Sequence, residues 1–248
     1  MSVLAIDKGE SHWTITLNRA DKLNALSVEL VDALLQAFDD AAHEAVPVVT
    51  LQGDGRCFSA GFDMTDVDRQ SEGDLLLRFV RIETLLNRIA TSPCFTIAFA
   101  HGRNFGAGVD LIAACNLRVA MPGSSFRMPG LKFGLVLGTA RFARIVGRHE
   151  AKCILESATT FDTARAISNG FIERLASSKE YEAITSEAVA RVVELTPDSR
   201  ALLYRALDME NPDTDLATLV RSAAAPGIHR RIEAYRTAEK ADTTSHSK

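Results

Sequence analysis

Neither sign of charge is in surplus here. Twenty-eight lysines and arginines stand against 32 aspartates and glutamates, a net charge of −4 over 248 residues. So even a balance gives no global field for a nucleic-acid backbone, and nucleic acid is not an expected partner, although local basic groups can still grip a phosphate. Long apolar runs are missing too. No stretch of about 18 or more apolar residues is available to cross a bilayer. The N-terminus lacks the basic-then-apolar order of a signal peptide, and the final Ser-His-Ser-Lys is not a peroxisomal address. No membrane partner and a cytoplasmic location are expected. Cysteines are few: four, at 57, 94, 115 and 153, without metal-type spacing. They read as small buried residues in a reducing compartment, and no metal site is expected. There is no internal repeat of fixed period.

What is present has the makings of a globular chain: 46% hydrophobic and 24% charged residues. Residues 2–7 and 12–18 predict two strands around a Lys8-Gly9-Glu10 turn. Ser27 is placed to cap a helix from 28 to about 43, where Leu30, Val31, Leu34, Leu35 and Phe38 recur at helical spacing. Pro47 leads a strand, residues 75–90 predict an amphipathic helix ended by Ser92-Pro93, and residues 95–100 a strand apolar on both faces. A short strand at 117–120 and a second at 125–128 precede a glycine-punctuated loop from 129 to 138. Helices at 139–146 and 149–157 are split by Gly147, and Asp162 caps another that Asn169-Gly170 ends. Residues 173–175 give a last strand fragment. From Lys179 only helical segments follow, punctuated by Pro197, Asn211-Pro212 and Pro226-Gly227, with a polar tail expected to fray after Lys240. Strands alternating with helices, then helices alone, predict an α/β core over 1–178 and a C-terminal helical region over 179–248.

The chemistry concentrates in two glycine turns. Residues 98–120 run from an apolar strand through Gly102, Gly106 and Gly108 into a short apolar helix with Asp110 in its first turn. A helix start after such a turn presents unpaired backbone N–H groups to negative charge. The second turn, Ser59-Ala60-Gly61-Phe62-Asp63, lies upstream. Taken alone, both are compatible with ordinary tight turns, and a first-turn acid is stabilised by the helix whether or not it reacts.

Four motifs in order narrow the reading. They are TITLNRADKLNALS at 14–27, GRCFSAGFDM at 55–64, GAGVDLIAACNLRVA at 106–120 and FDTARAISNGFIERL at 161–175. Their order and spacing resemble the crotonase superfamily, the enoyl-CoA hydratase/isomerase family, from about residue 3 to 175. The resemblance implies a spiral of ββα units, C-terminal helices engaged in a homotrimer or a dimer of trimers, and an acyl-coenzyme A thioester as substrate. No cofactor is implied beyond that coenzyme moiety. By register the backbone N–H groups of Phe62 and Ala107 would hold an enolate oxygen. Lys22 would lie near the coenzyme phosphates, and Leu23, Ala60, Asp63 and Met64 would line the adenine and pantetheine. Arg230 and Arg231 are weaker candidates of the same kind.

The family's hydratases use two glutamates. The first maps onto Asp110 and the second onto Gly130, so paired acid–base addition of water is in doubt. The dienoyl-CoA isomerase branch carries an aspartate at the first place, but its further carboxylates map onto Gly130 and Gly138, and the dehalogenase nucleophile maps onto Leu135. Chemistry with Asp110 as sole base is therefore expected, double-bond isomerisation ahead of hydration. Two other readings stay open: an acyl-CoA-binding protein of little activity, and a decarboxylase or carbon–carbon hydrolase recruiting His101, Arg103, Arg127 or Lys132 toward the acyl group.

Overall fold

Buried and half-exposed residues alternate along β2 (His12–Leu17), with Trp13, Ile15 and Leu17 turned inward. That period of two is what a one-side-buried strand requires. β1 (Leu4–Lys8) pairs with it antiparallel, Leu4 opposite Leu17. The computed structural model that gives this arrangement describes residues 2–196, 199, 202–203 and 212–245. Next in the sheet come β3 (Val48–Gly53) and β4 (Phe95–Ala100), then, past a short β5 (Arg103–Phe105), β6 (Leu117–Ala120). After β7 (Ser125–Arg127) and β8 (Phe161–Asp162), β9 (Arg174–Leu175) closes the sheet's far edge. The six-stranded order is β1-β2-β3-β4-β6-β9, parallel from β2 onward. β5, β7 and β8 form a second, three-stranded sheet.

Helices cover these sheets. α1 (Val28–His43) begins where Ser27 Oγ accepts the Leu30 N–H at 3.2 Å. α2 (Glu72–Ala90) starts in a capping box between Ser71 and Asp74. It reaches three residues further back than the apolar period alone suggests, because caps and not apolar residues set helix starts. α3 (Ala107–Ala113) is buried along its whole length. α4 (Thr139–Val146) and α5 (Arg148–Ser157) are split by Gly147, and α6 (Thr163–Ser168) is capped by Asp162, which accepts the Arg165 N–H at 2.9 Å. α7 (Tyr181–Val192), α8 (Pro212–Ala223) and α9 (Ile228–Ser245) follow.

The main core lies between the sheets and α1 to α5, and includes an aromatic group of Phe126, Phe142, Phe161 and Phe171. A second, smaller core sits where Ile184, Ala188 and Val192 of α7 meet Val48, Ile97, Phe99 and Val119. α8 packs along α2, and α9 packs on α2 and on the single turn Gly130–Phe133.

The fold is the mixed α/β architecture expected. Three local expectations change. Residues 103–105 and 161–162 form short strands; runs of two or three residues carry no readable period and become strands only through their partners. The loop after Pro129 contains a 3-10 turn. α9 continues to Ser245, past the point at Lys240 where fraying was expected. The expected breaks at Pro197 and Asn211 lie outside the described residues.

Candidate active site

The site grows from the C-terminal ends of β3 and β4. Each parallel strand runs into a glycine turn, and the two turns are stitched together. Phe105 N–H donates to the Ser59 carbonyl at 3.2 Å, and Ser59 N–H to Asn104 Oδ1 at 3.4 Å. Gly61 (φ +78) is where they touch: a Cβ there would run into the Phe105 carbonyl oxygen and come within 3.1 Å of the Ala107 nitrogen. Gly108 lies as close to Ser59, whose carbonyl oxygen would be 2.5 Å from an added Cβ. Only glycine allows backbones to approach this way. Among the described residues, neither the Phe62 nor the Ala107 N–H donates to a backbone or side-chain acceptor. Two amides so placed can hold a developing negative charge without reorganising. The Phe62 ring is fixed by Phe79, stacked at 4.5 Å, and by the Arg78 guanidinium at 4.1 Å.

The turn carrying Lys22 is tied to the same place. Ala60 N–H donates to the Leu23 carbonyl at 2.9 Å, and Ser59 Oγ to the Asn24 carbonyl at 2.8 Å. Asn24, fully buried, donates through Nδ2 to the Asp54 and Cys57 carbonyls. Leu23, Ala60, Asp63 and Met64 are thus brought together, with Lys22 exposed at the rim. The Asp63 carboxylate is engaged internally, with Arg19 at 2.9 Å and the Thr65 N–H at 2.9 Å. Burial alone would raise its pKa, but these partners hold it below the usual carboxylate value. Arg231 donates to the carbonyls of Phe133, Gly134, Ser222 and Ala225, which fastens α9 to the body, while Arg230 is exposed.

A cavity of about 220 Å³ opens beneath the paired turns. Phe62, Ala107, Asp110 and Gly130 all line it, together with Ala60 and Met64. Most of its wall is apolar, with Leu135, Leu137 and Leu155 among the residues facing it, and its polar side chains are Asp110, Thr139 and Tyr235. Asp110 is 2% exposed, and its Oδ1 has no hydrogen-bond partner. Burial, then the neighbouring charge of Glu83, push its pKa well above the ordinary carboxylate value, with Arg141 opposing them. Such a group holds its proton more firmly than an exposed aspartate, a shift often found at functional sites.

Glu83 and Arg141 are the residues that reading the sequence missed. Both are buried, and they face each other at 3.3 Å from α2 and α4. A signal for Glu83 existed: it falls within the apolar stripe of α2, four residues after Phe79 and three before Leu86. Four other residues considered near the acyl group do not line the cavity. His101 Nε2 lies 3.1 Å from the Gly55 carbonyl, Arg127 makes a two-pronged pair with Glu239 at 2.6 and 2.7 Å, and Arg103 and Lys132 are exposed. No group of three or more His, Cys, Asp or Glu among the described residues could hold a metal ion, and no described helix is long and apolar enough to cross a membrane.

Fold and site together give a mixed α/β protein whose pocket is lined by Phe62 and Ala107, their N–H groups unpaired among the described residues, and by one buried carboxyl, Asp110. The model of the enoyl-CoA hydratase/isomerase family matches residues 7–225, and the chain belongs to that family. It is 30% identical over 197 residues to "Probable enoyl-CoA hydratase echA6" of Mycobacterium tuberculosis, covering 78% of each chain. A crystal structure from Bordetella parapertussis, assigned provisionally as an enoyl-CoA hydratase/isomerase, is 53% identical with a TM-score of 0.94, covering 95% of this chain and 98% of that one. Enoyl-CoA hydratase from Bacillus halodurans shares the fold at 23% identity, with a TM-score of 0.82 over 94% of this chain and all of that one.

Proposed function

We propose that the protein processes an acyl-coenzyme A thioester by stabilising its enolate, with double-bond isomerisation as the reaction. The observation that carries this reading is the composition of one cavity. Phe62 and Ala107 line it, with a single carboxyl at Asp110 and with Gly130 where a second carboxylate would be needed. Ionised Asp110 removes a proton from C2 of a 3-enoyl thioester. The electron pair moves onto the thioester oxygen, between the two N–H donors. The same carboxyl then returns the proton at C4, which leaves the double bond conjugated with the carbonyl. One base suffices for both transfers. Hydration would need a second group to handle the water, and position 130 has no side chain to offer.

Lys22 meets the coenzyme phosphates in this reading, and Leu23, Ala60, Asp63 and Met64 line the path of adenine and pantetheine. The apolar wall suits an uncharged acyl chain, since no lysine or arginine lines it. No further cofactor is required, and residues 179–248 supply contacts of a trimer or of paired trimers. The test offers 3-enoyl-CoA and crotonyl-CoA to the purified protein and follows the conjugated thioester absorbance. Isomerisation that Asp110→Asn abolishes is expected. Fast hydration of crotonyl-CoA that depends on Asp110 would refute the isomerase preference and keep the family.

The glycine at 130 also motivates a second reading, a thioester-binding protein with little turnover. Deuterium wash-in at the acyl α-carbon separates the two. Binding without exchange across a panel of thioesters favours the binder.

A further inference from the structure

Behind Asp110, on the side away from the cavity, lies a buried group of charges that the reaction above does not use. Glu83 from α2 is 0% exposed and Arg141 from α4 is 3% exposed. Arg141 reaches Glu83 Oε1 at 3.3 Å and Asn87 Oδ1 at 2.8 Å. The second oxygen of Glu83, Oε2, has no hydrogen-bond partner. Gly138 is the hinge of the arrangement. Its Cα lies directly against Asp110: a Cβ there would overlap Oδ1 and stand 2.8 Å from Cγ. Gly138 precedes α4 and Arg141 lies three residues on, so the start of α4 meets Asp110 through Gly138 and Glu83 through Arg141. Further out, Asp215 of α8 adds a negative charge toward Glu83 and pairs with Arg144 at 3.6 Å.

We propose that Glu83, held in place by Arg141, which Asn87 in turn fixes, is a positioning residue that governs when Asp110 carries its proton. The proposal rests on Asp110 acting as the base. The reason lies in charge counting. Two carboxylates and one guanidinium, all three buried, carry a net negative charge between them. A buried net charge is costly, and one shared proton removes it. Two buried acids that interact by more than about one pK unit titrate as a pair rather than singly. The directions agree: burial first raises Glu83, with Arg141 opposing, and burial and then Glu83 raise Asp110. With Glu83 charged beside it, Asp110 is a stronger base than a solvent-exposed aspartate and takes a proton from carbon more readily. Neither Glu83 nor Arg141 lines the cavity, so their influence passes through Asp110 alone.

The experiment is the pH profile of kcat for 3-enoyl-CoA isomerisation in wild type, Glu83→Gln, Glu83→Asp and Asp110→Asn. Asp110 must be ionised to act, so activity falls as pH drops through its pKa. Removing the negative charge at 83 favours the Asp110 anion and moves that acidic limb to lower pH by about one unit or more. Glu83→Asp keeps the charge and returns the limb toward its wild-type position, which a purely structural role would not do. KM changes little in either. Carbon-13 titration of the Asp110 and Glu83 carboxyls in the unliganded wild type gives a measurement independent of any variant's folding. Both signals should follow the same two steps. A limb that stays put in folded Glu83→Gln, or two carboxyls that titrate as independent single steps, overturns the proposal. If Asp110→Asn isomerises normally, the failure lies instead with Asp110 as base.

Discussion

Gly61→Ala places a methyl group where the two glycine turns meet. The added Cβ runs into the Phe105 carbonyl oxygen, a backbone atom that cannot swing aside, and it comes 3.1 Å from the Ala107 nitrogen. The position also has φ +78, a region in which an L side chain costs about 1–2 kcal/mol. Relief requires the turns to separate, and Phe62 and Ala107 sit one on each. A shift of one amide out of line amounts to losing one donor, worth about 10²–10³ in kcat, or roughly 2.7–4 kcal/mol. Stability should fall by about 1–3 kcal/mol, the usual range for a strained backbone position. The assay is kcat and KM for isomerisation, with urea unfolding run in parallel. A large loss in kcat with KM little changed is expected, since under the proposed function the amides act on the enolate more than on the ground-state thioester. Folded Gly61→Ala with kcat within about threefold of wild type would refute the reasoning.

Other outcomes follow from the same geometry. Because Asp110 is raised in the folded state, the unfolded chain ionises first as pH climbs. Stability should therefore fall from the ordinary carboxylate pKa up to the raised folded one and then level off, and Asp110→Asn should flatten that decline in thermal melts. Lys22→Ala should raise KM several-fold for an acyl-CoA, with kcat unchanged, and leave a thioester truncated to pantetheine unaffected. Arg231→Ala removes donors to the carbonyls that fasten α9, so about 2 kcal/mol of stability and faster proteolysis near residue 228 are expected in limited digestion. Asp63→Ala strips Arg19 of its partner at a site only 8% exposed on the aspartate side, and urea unfolding should register a loss of about 2 kcal/mol.

Much of the molecule was legible along the chain because its signals are local. The cap at Ser27, the stripe of α1 and the alternation in β2 each lie within one element, where period and hydrogen-bonding chemistry act between near neighbours. The glycines at 61, 106 and 108 marked turns, since a backbone that must bend sharply or approach another closely has few alternatives. That position 130, which lines the cavity with Asp110, carries no side chain was equally plain. The short strands β5 and β8 were not, because two or three residues have no period of their own.

The sequence by itself determined the fold, the two turns and the lone acid. Tertiary structure alone decided what surrounds that acid. Glu83, Asp110 and Arg141 stand on three different helices, and no spacing along the chain brings the three together. Their effect is also electrostatic, so it depends on how water is excluded and on distances across the core. The same holds for Arg127, considered from the sequence for the acyl group, which Glu239 claims from a helix more than a hundred residues away. Local chemistry travels with the sequence; the protonation of a buried group belongs to the packed whole.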